Sequence, residues 1–229
     1  MDNMNIRKIN GFTVQLVADG VYAIDEFGIA LMYLIIGKTQ ALLLDTGVGA
    51  GNVHAVVKEL TDLPCLVVNS HHHYDHAGGN VWFDEVYAHK NAVSVLKEQN
   101  CQEVRSAFIK GQLDREEYNG EASVADTISY LHEYRVNPIE EGKVFDLGGR
   151  IVLKKLIYGC RKAVYPAGSV LVLIAFCRTV SDVFHLILIF RQYQLQAKPR
   201  HVREGHILVG IQRQFDLTVC IDFPKCFRA

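Results

Sequence analysis

Apolar and polar positions fall in short blocks over the first 150 residues, and the blocks predict strands before they predict helices. Residues 12–17 and 20–24 read as two strands around Ala18-Asp19-Gly20, an Asp-Gly hairpin signal. Residues 30–36 and 41–44 are apolar runs on either side of Gly37-Lys38-Thr39-Gln40, a second hairpin. Asp45-Thr46-Gly47 breaks the second of these strands. Over 52–60 the period changes: Val53, Val56, Val57 and Leu60 share one helical face. Residues 65–68 form a buried strand that runs directly into a polar, histidine-rich segment. A short strand over 86–88 follows, then a helix through Leu96 with Asn91 as its cap. Residues 101 to about 135 are charged and helical in pattern, and 144–147 with 151–157 form a hairpin over Gly148-Gly149. Strand pairs followed by strand–helix alternation predict sheets with helices on their outer faces.

Composition narrows the class. At 229 residues, 49% hydrophobic and 21% charged, the chain has the balance of a soluble globular protein, which excludes disordered and collagen-like chains. The net charge of −1 gives no global basic field for a nucleic-acid partner. The start, Met-Asp-Asn-Met-Asn-Ile-Arg, carries no apolar run readable as a signal peptide, and six cysteines without one read as free thiols or ligands. A cytoplasmic location is the expectation. The most apolar window, 168–190, holds Arg178, Ser181 and Asp182 at its middle. Each central charge costs roughly 2.5–3.5 kcal/mol on insertion scales, so two strands, or non-native sequence, are expected there rather than a membrane span.

The totals conceal an asymmetry. Residues 1–150 carry 12 Lys and Arg against 21 Asp and Glu, whereas residues 151–229 carry 12 against 4. Fourteen of the 18 glycines lie in the first part, and four of the six cysteines in the second. A basic surface patch on one domain would account for the charge; a tail of different origin would account for all three changes.

The strongest chemical signal is His71-x-His73-x-Asp75-His76, directly after the 65–68 strand and followed by Gly78-Gly79. In an extended segment residues i and i+2 point to the same side, so His71 and His73 can converge on one ion. A turn after them would swing Asp75 and His76 toward a second position. Imidazole and carboxylate suit Zn²⁺, Fe or Mn²⁺. The bland alternative is a solvated histidine-rich loop, which the preceding strand, the acid and the glycine pair argue against. His72 and Tyr74 alternate away from these residues and read as packing groups, and His54, His89 and His132 as ordinary surface or core histidines.

With these residues the chain resembles the metallo-β-lactamase superfamily over about residues 10–158. The likeness rests on His71-x-His73-x-Asp75-His76 with Gly78-Gly79, and on Leu42-Leu43-Leu44-Asp45-Thr46-Gly47 upstream. It implies an α+β fold, a four-layer αββα sandwich with metals at one edge of two packed sheets, with 1–158 as its N-terminal portion and 159–229 as an atypical or altered second half. It implies two zinc ions, or iron or manganese, with His71 and His73 at one position and Asp75 and His76 at the other. Asp45 would support the ligand loop from beneath. The implied chemistry is hydrolysis of a small-molecule thioester, lactone or similar carbonyl by a metal-activated water, with Asp75 as the catalytic carboxylate. The His-His-His run is similar to the glyoxalase II branch, although lactonases and β-lactamases share the core motif.

The resemblance stops near the end of the 151–157 strand. The family continues into a Thr-Pro-Gly-His turn, but no histidine lies between His132 and His185 here. Asp182 and His206 are the nearest substitutes for the later ligands, and Cys160 reads as a free thiol. Two function classes are therefore expected: a working metallo-hydrolase that recruits such residues, or a defective member that binds little or no metal. A frame-shifted or replaced tail would explain the joint change in charge, glycine and cysteine.

Overall fold

The computed structural model describes residues 6–116, 118, 125–156, 170–178, 183–191 and 217–222. They form two compact units divided between Glu140 and Glu141. The division falls inside the 1–158 portion delimited by the sequence motifs. Readings that concern Cys160, Asp182 and His206 lie outside the described residues.

The first unit is built on an eight-stranded sheet whose spatial order follows the chain, β1 to β8. The strands are β1 (Ile6–Ile9), β2 (Phe12–Ala18), β3 (Val21–Glu26), β4 (Ala30–Ile36), β5 (Ala41–Leu44), β6 (Cys65–Val68), β7 (Glu85–His89) and β8 (Arg135–Ile139). Up to β5 every neighbour is antiparallel. From β5 onward they are parallel, each joined by a connection long enough to cross over. The helices are α1 (Val53–Leu60), α2 (Tyr74–Ala77), α3 (Val93–Gln99), α4 (Gln102–Leu113) and α5 (Ala125–Ser129).

Local chemistry explains most boundaries. Gly20 turns the β2–β3 hairpin at φ +63°, where a side chain would be strained. Asn52 caps α1 by accepting from the Ala55 amide at 3.1 Å, an arrangement worth about 1 kcal/mol. Val53, Val56 and Val57 of α1 are buried in one core with Leu34, Leu43 and Val67 of the sheet. Each such side chain contributes roughly 1.5–3 kcal/mol. Ile35, Leu42 and Leu44 occupy the alternate positions and are equally buried, so the central strands are covered on both faces.

Three expectations change. The chain begins its sheet earlier than its alternation suggests, with β1 on a largely exposed edge. Asn91 is not a helix cap: it lies in a 3₁₀ turn over Lys90–Ala92, where its amide donates to the His89 ring, and α3 starts at Val93. The charged stretch ends in an edge strand, β8, which tolerates Pro138 because an edge position can lack a ladder donor.

The second unit is a five-stranded sheet in the order β13-β12-β11-β10-β9. Its strands are β9 (Val144–Asp146), β10 (Arg150–Leu156), β11 (Val170–Arg178), β12 (Val183–Arg191) and β13 (Leu217–Asp222). The 168–190 window holds β11 and most of β12, an antiparallel pair, as its central charges required. Among the described residues no helix is long and apolar enough to cross a membrane. The α+β class expected from the sequence is the class observed.

The loop after β5, residues 45–51, is fixed from below. Glu26 at the end of β3 is fully buried and accepts from the amides of Val48, Gly49 and Gly51 at 2.6, 3.4 and 2.9 Å. A Cβ on Gly47 would collide with this carboxylate, and one on Gly78 would fall on the Val48 carbonyl. Gly78→Ala should therefore lower the unfolding free energy by about 1–3 kcal/mol. Gly111→Ala, at an exposed position of α4 with nothing near its added methyl, should raise it by about 0.4–1 kcal/mol. Urea denaturation of both variants checks the pair.

Burial pushes the Glu26 carboxyl up to about 7, against the lowering effect of its backbone donors. The folded state then holds a proton that the unfolded chain releases near 4.5. The associated stability is present below that value and is lost as pH rises toward 7. Denaturation across this range should show wild type losing on the order of 3 kcal/mol relative to Glu26→Gln, with no further relative change above it.

Candidate metal centre

The parallel pair β5 and β6 ends side by side, and their C-terminal ends carry Asp45 and Asn69-Ser70-His71 to one edge of the sheet. Such edges gather functional residues because the loops leaving parallel strands converge there. The Asp45 amide donates to the Val68 carbonyl at 2.9 Å and closes the two ends together. Asp45 adopts φ +62°, a left-handed conformation that Asp tolerates better than most residues. It is almost fully buried, at 2% exposure.

The hydrogen bonds of this buried carboxylate organise the histidine segment. Oδ1 accepts from the Ser70 amide at 2.6 Å, and Oδ2 accepts from the Ser70 hydroxyl at 2.7 Å. Oδ2 also lies 2.9 Å from His76 Nδ1, so that nitrogen carries the proton and donates it. Because the Ser70 hydroxyl has given its one hydrogen to Asp45, it accepts from His71 Nδ1–H at 2.8 Å. One carboxylate thus holds two imidazoles in the same tautomer, with Nε2 as the lone-pair nitrogen of each. Metal-ligating histidines are oriented in this way by a partner on the other ring nitrogen.

The ligand segment is not the extended run that its spacing suggested: the chain bends over Ser70, His71 and His72, and His73, itself in an extended conformation, is the position before α2. Neither His71 nor His73 lies in a helix. The ring of His71 is 4.6 Å from that of His73 and 4.2 Å from that of His76, centroid to centroid. Asp75 Oδ2 lies 3.5 Å from His76 Nε2, with the acid partly exposed and the histidine mostly covered. The structure therefore gathers all four motif residues into one cluster above Asp45. The donor types and tautomers fit a borderline divalent cation. Among the described residues, however, no three His, Cys, Asp or Glu side chains are arranged to hold a metal ion as they stand.

Groups flanking the motif have other work. Tyr74 is buried, its ring 4.7 Å from that of Phe108, and burial raises its hydroxyl to about 12. Burial and neighbouring His73, whose ring lies 5.1 Å away, hold His72 below the ordinary imidazole value. His54 packs edge-on against Phe83, and His132 meets Asp84 at 3.1 Å, away from the cluster. Beneath the loop, Asn69 and Asn80 form a reciprocal amide pair at 3.1 and 2.8 Å, and Asn69 also donates to the His76 carbonyl at 3.2 Å. The Thr46 amide donates to that same carbonyl at 2.9 Å.

Sequence reasoning identified Asp45 but missed Ser70, Glu26 and Arg105. Ser70 adjoins the motif and was readable as a relay only once Asp45 had been placed under it. Arg105 is fully buried, and its one sequence signal is its position four residues before Ile109 on the inner face of α4.

The family model for the metallo-beta-lactamase superfamily matches residues 25–160, more than half of the chain. No curated protein matches it. Among solved structures, DIM-1 metallo-beta-lactamase exposed to ceftazidime is similar at 18% identity and TM-score 0.36, over 41% of this chain and 49% of that one. A metallo beta lactamase from Erythrobacter litoralis with beta mercaptoethanol in its active site is similar at 19% identity and TM-score 0.36, over 42% and 49%. TMB-1 gives 18% identity and TM-score 0.35, over 40% and 49%. The chain spans about half the length of these solved structures. Its matched segment contains both Asp45-Thr46-Gly47 and the His71–His76 motif, and on that match the chain belongs to the metallo-beta-lactamase superfamily.

Proposed function

We propose that the chain binds zinc through His71, His73, Asp75 and His76, and that it hydrolyses a small-molecule thioester, lactone or related carbonyl compound. Family membership supports a metallo-hydrolase-like function, since members generally bind metal ions, often zinc. The observation that carries the reading is the pair of bonds from Asp45, direct to His76 and through Ser70 to His71, that leaves Nε2 of both rings as the donor atom. Such an arrangement raises ligand basicity and fixes ring direction.

Zinc, when bound, supplies a Lewis acid and activates water near neutral pH. The chain's own residues do the rest. His71 and His76 present preset lone pairs, and the remaining side chains of the motif would move to complete the coordination. The Asp75 carboxylate, 3.5 Å from His76 Nε2 and partly exposed, would orient a water and accept its proton. Tyr74, neutral and packed against Phe108, brings no charge to the cluster. The free thiols Cys65 and Cys101 accord with a reducing, cytoplasmic setting.

A second reading rests on a specific feature of the sequence. The span between His132 and His185 contains no histidine, so the family's Thr-Pro-Gly-His ligand is missing from its usual place. On this reading the chain holds one metal weakly, or none, and does not turn over substrate. Asp182 and His206 are the residues through which the first reading would have to be completed.

Equilibrium dialysis against Zn²⁺ with elemental analysis separates the two. The hydrolase reading expects near two equivalents per chain, and the alternative expects near zero. In assays on thioester, lactone and β-lactam substrates with saturating zinc, Asp75→Ala should lower the rate by about 10²–10⁴-fold. His71→Ala should be partly rescued by excess metal. Equal rates for wild type and Asp75→Ala would reject catalysis at this site.

A further inference from the structure

We propose that Arg105 is a positioning residue for this centre, the strap that holds the loop carrying Asp45 against the loop carrying His76. The inference rests on the metal-site reading for its consequence, and on geometry alone for the strap itself. Arg105 projects from α4 and is fully buried. Its guanidinium donates to the Gly78 carbonyl through Nη1 at 2.8 Å and to the Gly49 carbonyl through Nη2 at 2.7 Å. Gly78 lies two residues after His76, and Gly49 four residues after Asp45. A single planar cation therefore spans the two loops whose separation sets the 2.9 Å bond from His76 Nδ1 to Asp45.

Nothing apolar can replace this. The glycines bring the two backbones so close that a Cβ at Gly49 would sit 2.5 Å from the Gly78 oxygen. Both carbonyls take their donor from the same guanidinium, whose rigid fork serves two acceptors at once where a lysine's single ammonium does not. The other face of the same loop is fixed by Glu26, which takes its amides while Arg105 takes a carbonyl. Arg105 also donates to the Thr127 carbonyl, and the Thr127 hydroxyl donates to Ala50 at 2.7 Å, so α4 and α5 are tied to the loop together.

The direct reporter of loop spacing is the Thr46 amide, which donates to the His76 carbonyl at 2.9 Å. Native-state hydrogen exchange on the metal-free chain should find this amide about tenfold or more faster in Arg105→Lys than in wild type, with Leu34 and Leu43 amides unchanged. Thr127→Val, which removes the hydroxyl bond to the Ala50 carbonyl but leaves Arg105 in place, should give a smaller change in the same direction. Zinc affinity, titrated against a chromophoric chelator, should fall about 10–100-fold in Arg105→Lys. An unaltered Thr46 amide, or equal acceleration of every amide, would overturn the strap. An accelerated Thr46 amide with unchanged zinc affinity would overturn its role in the metal centre. Wild type that takes up no zinc would reject the metal-site reading and, with it, that role, while the exchange data would still decide the strap.

Discussion

The histidine cluster depends on a buried carboxylate that has more donors to satisfy than atoms to spare. Asp45 accepts from a backbone amide, a hydroxyl and an imidazole, and the hydroxyl in turn accepts from a second imidazole. A buried anion of this kind is tolerable only when its hydrogen bonds are complete. Completing them forces Ser70 to the end of β6, points His71 outward and draws His76 back from α2. The ring tautomers follow from proton counting, since each donor hydrogen can be given once. The direction of the motif is thus a consequence of how one acid is solvated by the protein.

That acid could not stay in place on an ordinary loop. Residues 45–51 leave β5 in a left-handed conformation and run through three glycines, a costly path for an unsupported chain. Glu26 and Arg105 supply the support from inside the core, one through amides and one through carbonyls. The Asn69–Asn80 pair closes the floor by binding the His76 carbonyl. The centre is therefore held by groups on β3, on α4, just after β6 and in the segment after α2. A polar network as fully satisfied as this one rigidifies its surroundings and is sensitive to any single deletion.

Much of this was legible in the chain, and the reasons are physical. The β4–β5 hairpin and the β6 strand were readable to the residue because continuous apolar runs bounded by turn residues allow few alternatives. The His71–His76 motif stood out because residue types with one shared chemistry rarely cluster by chance. Asp45 was readable through its strand-end position and its likeness to the family. Glu26 and Arg105 were not, because a charged residue in sequence looks solvated, and only the fold shows that backbone groups surround it. β1 and β8 were missed for the opposite reason: edge strands expose polar side chains and carry little alternation. Asp182 and His206 lie outside the described residues.

Asp45 sets the chemical form of two imidazoles before any metal arrives. The direct measurement is two-bond proton–nitrogen NMR of the histidine rings in the metal-free chain, at a pH about two units above the ordinary imidazole value. His71 and His76 should both carry their proton on Nδ1, and the Nδ1–H of His76 should exchange slowly behind its bond to Asp45. Protonation of either ring on Nε2, or rapid averaging of both tautomers, would contradict it.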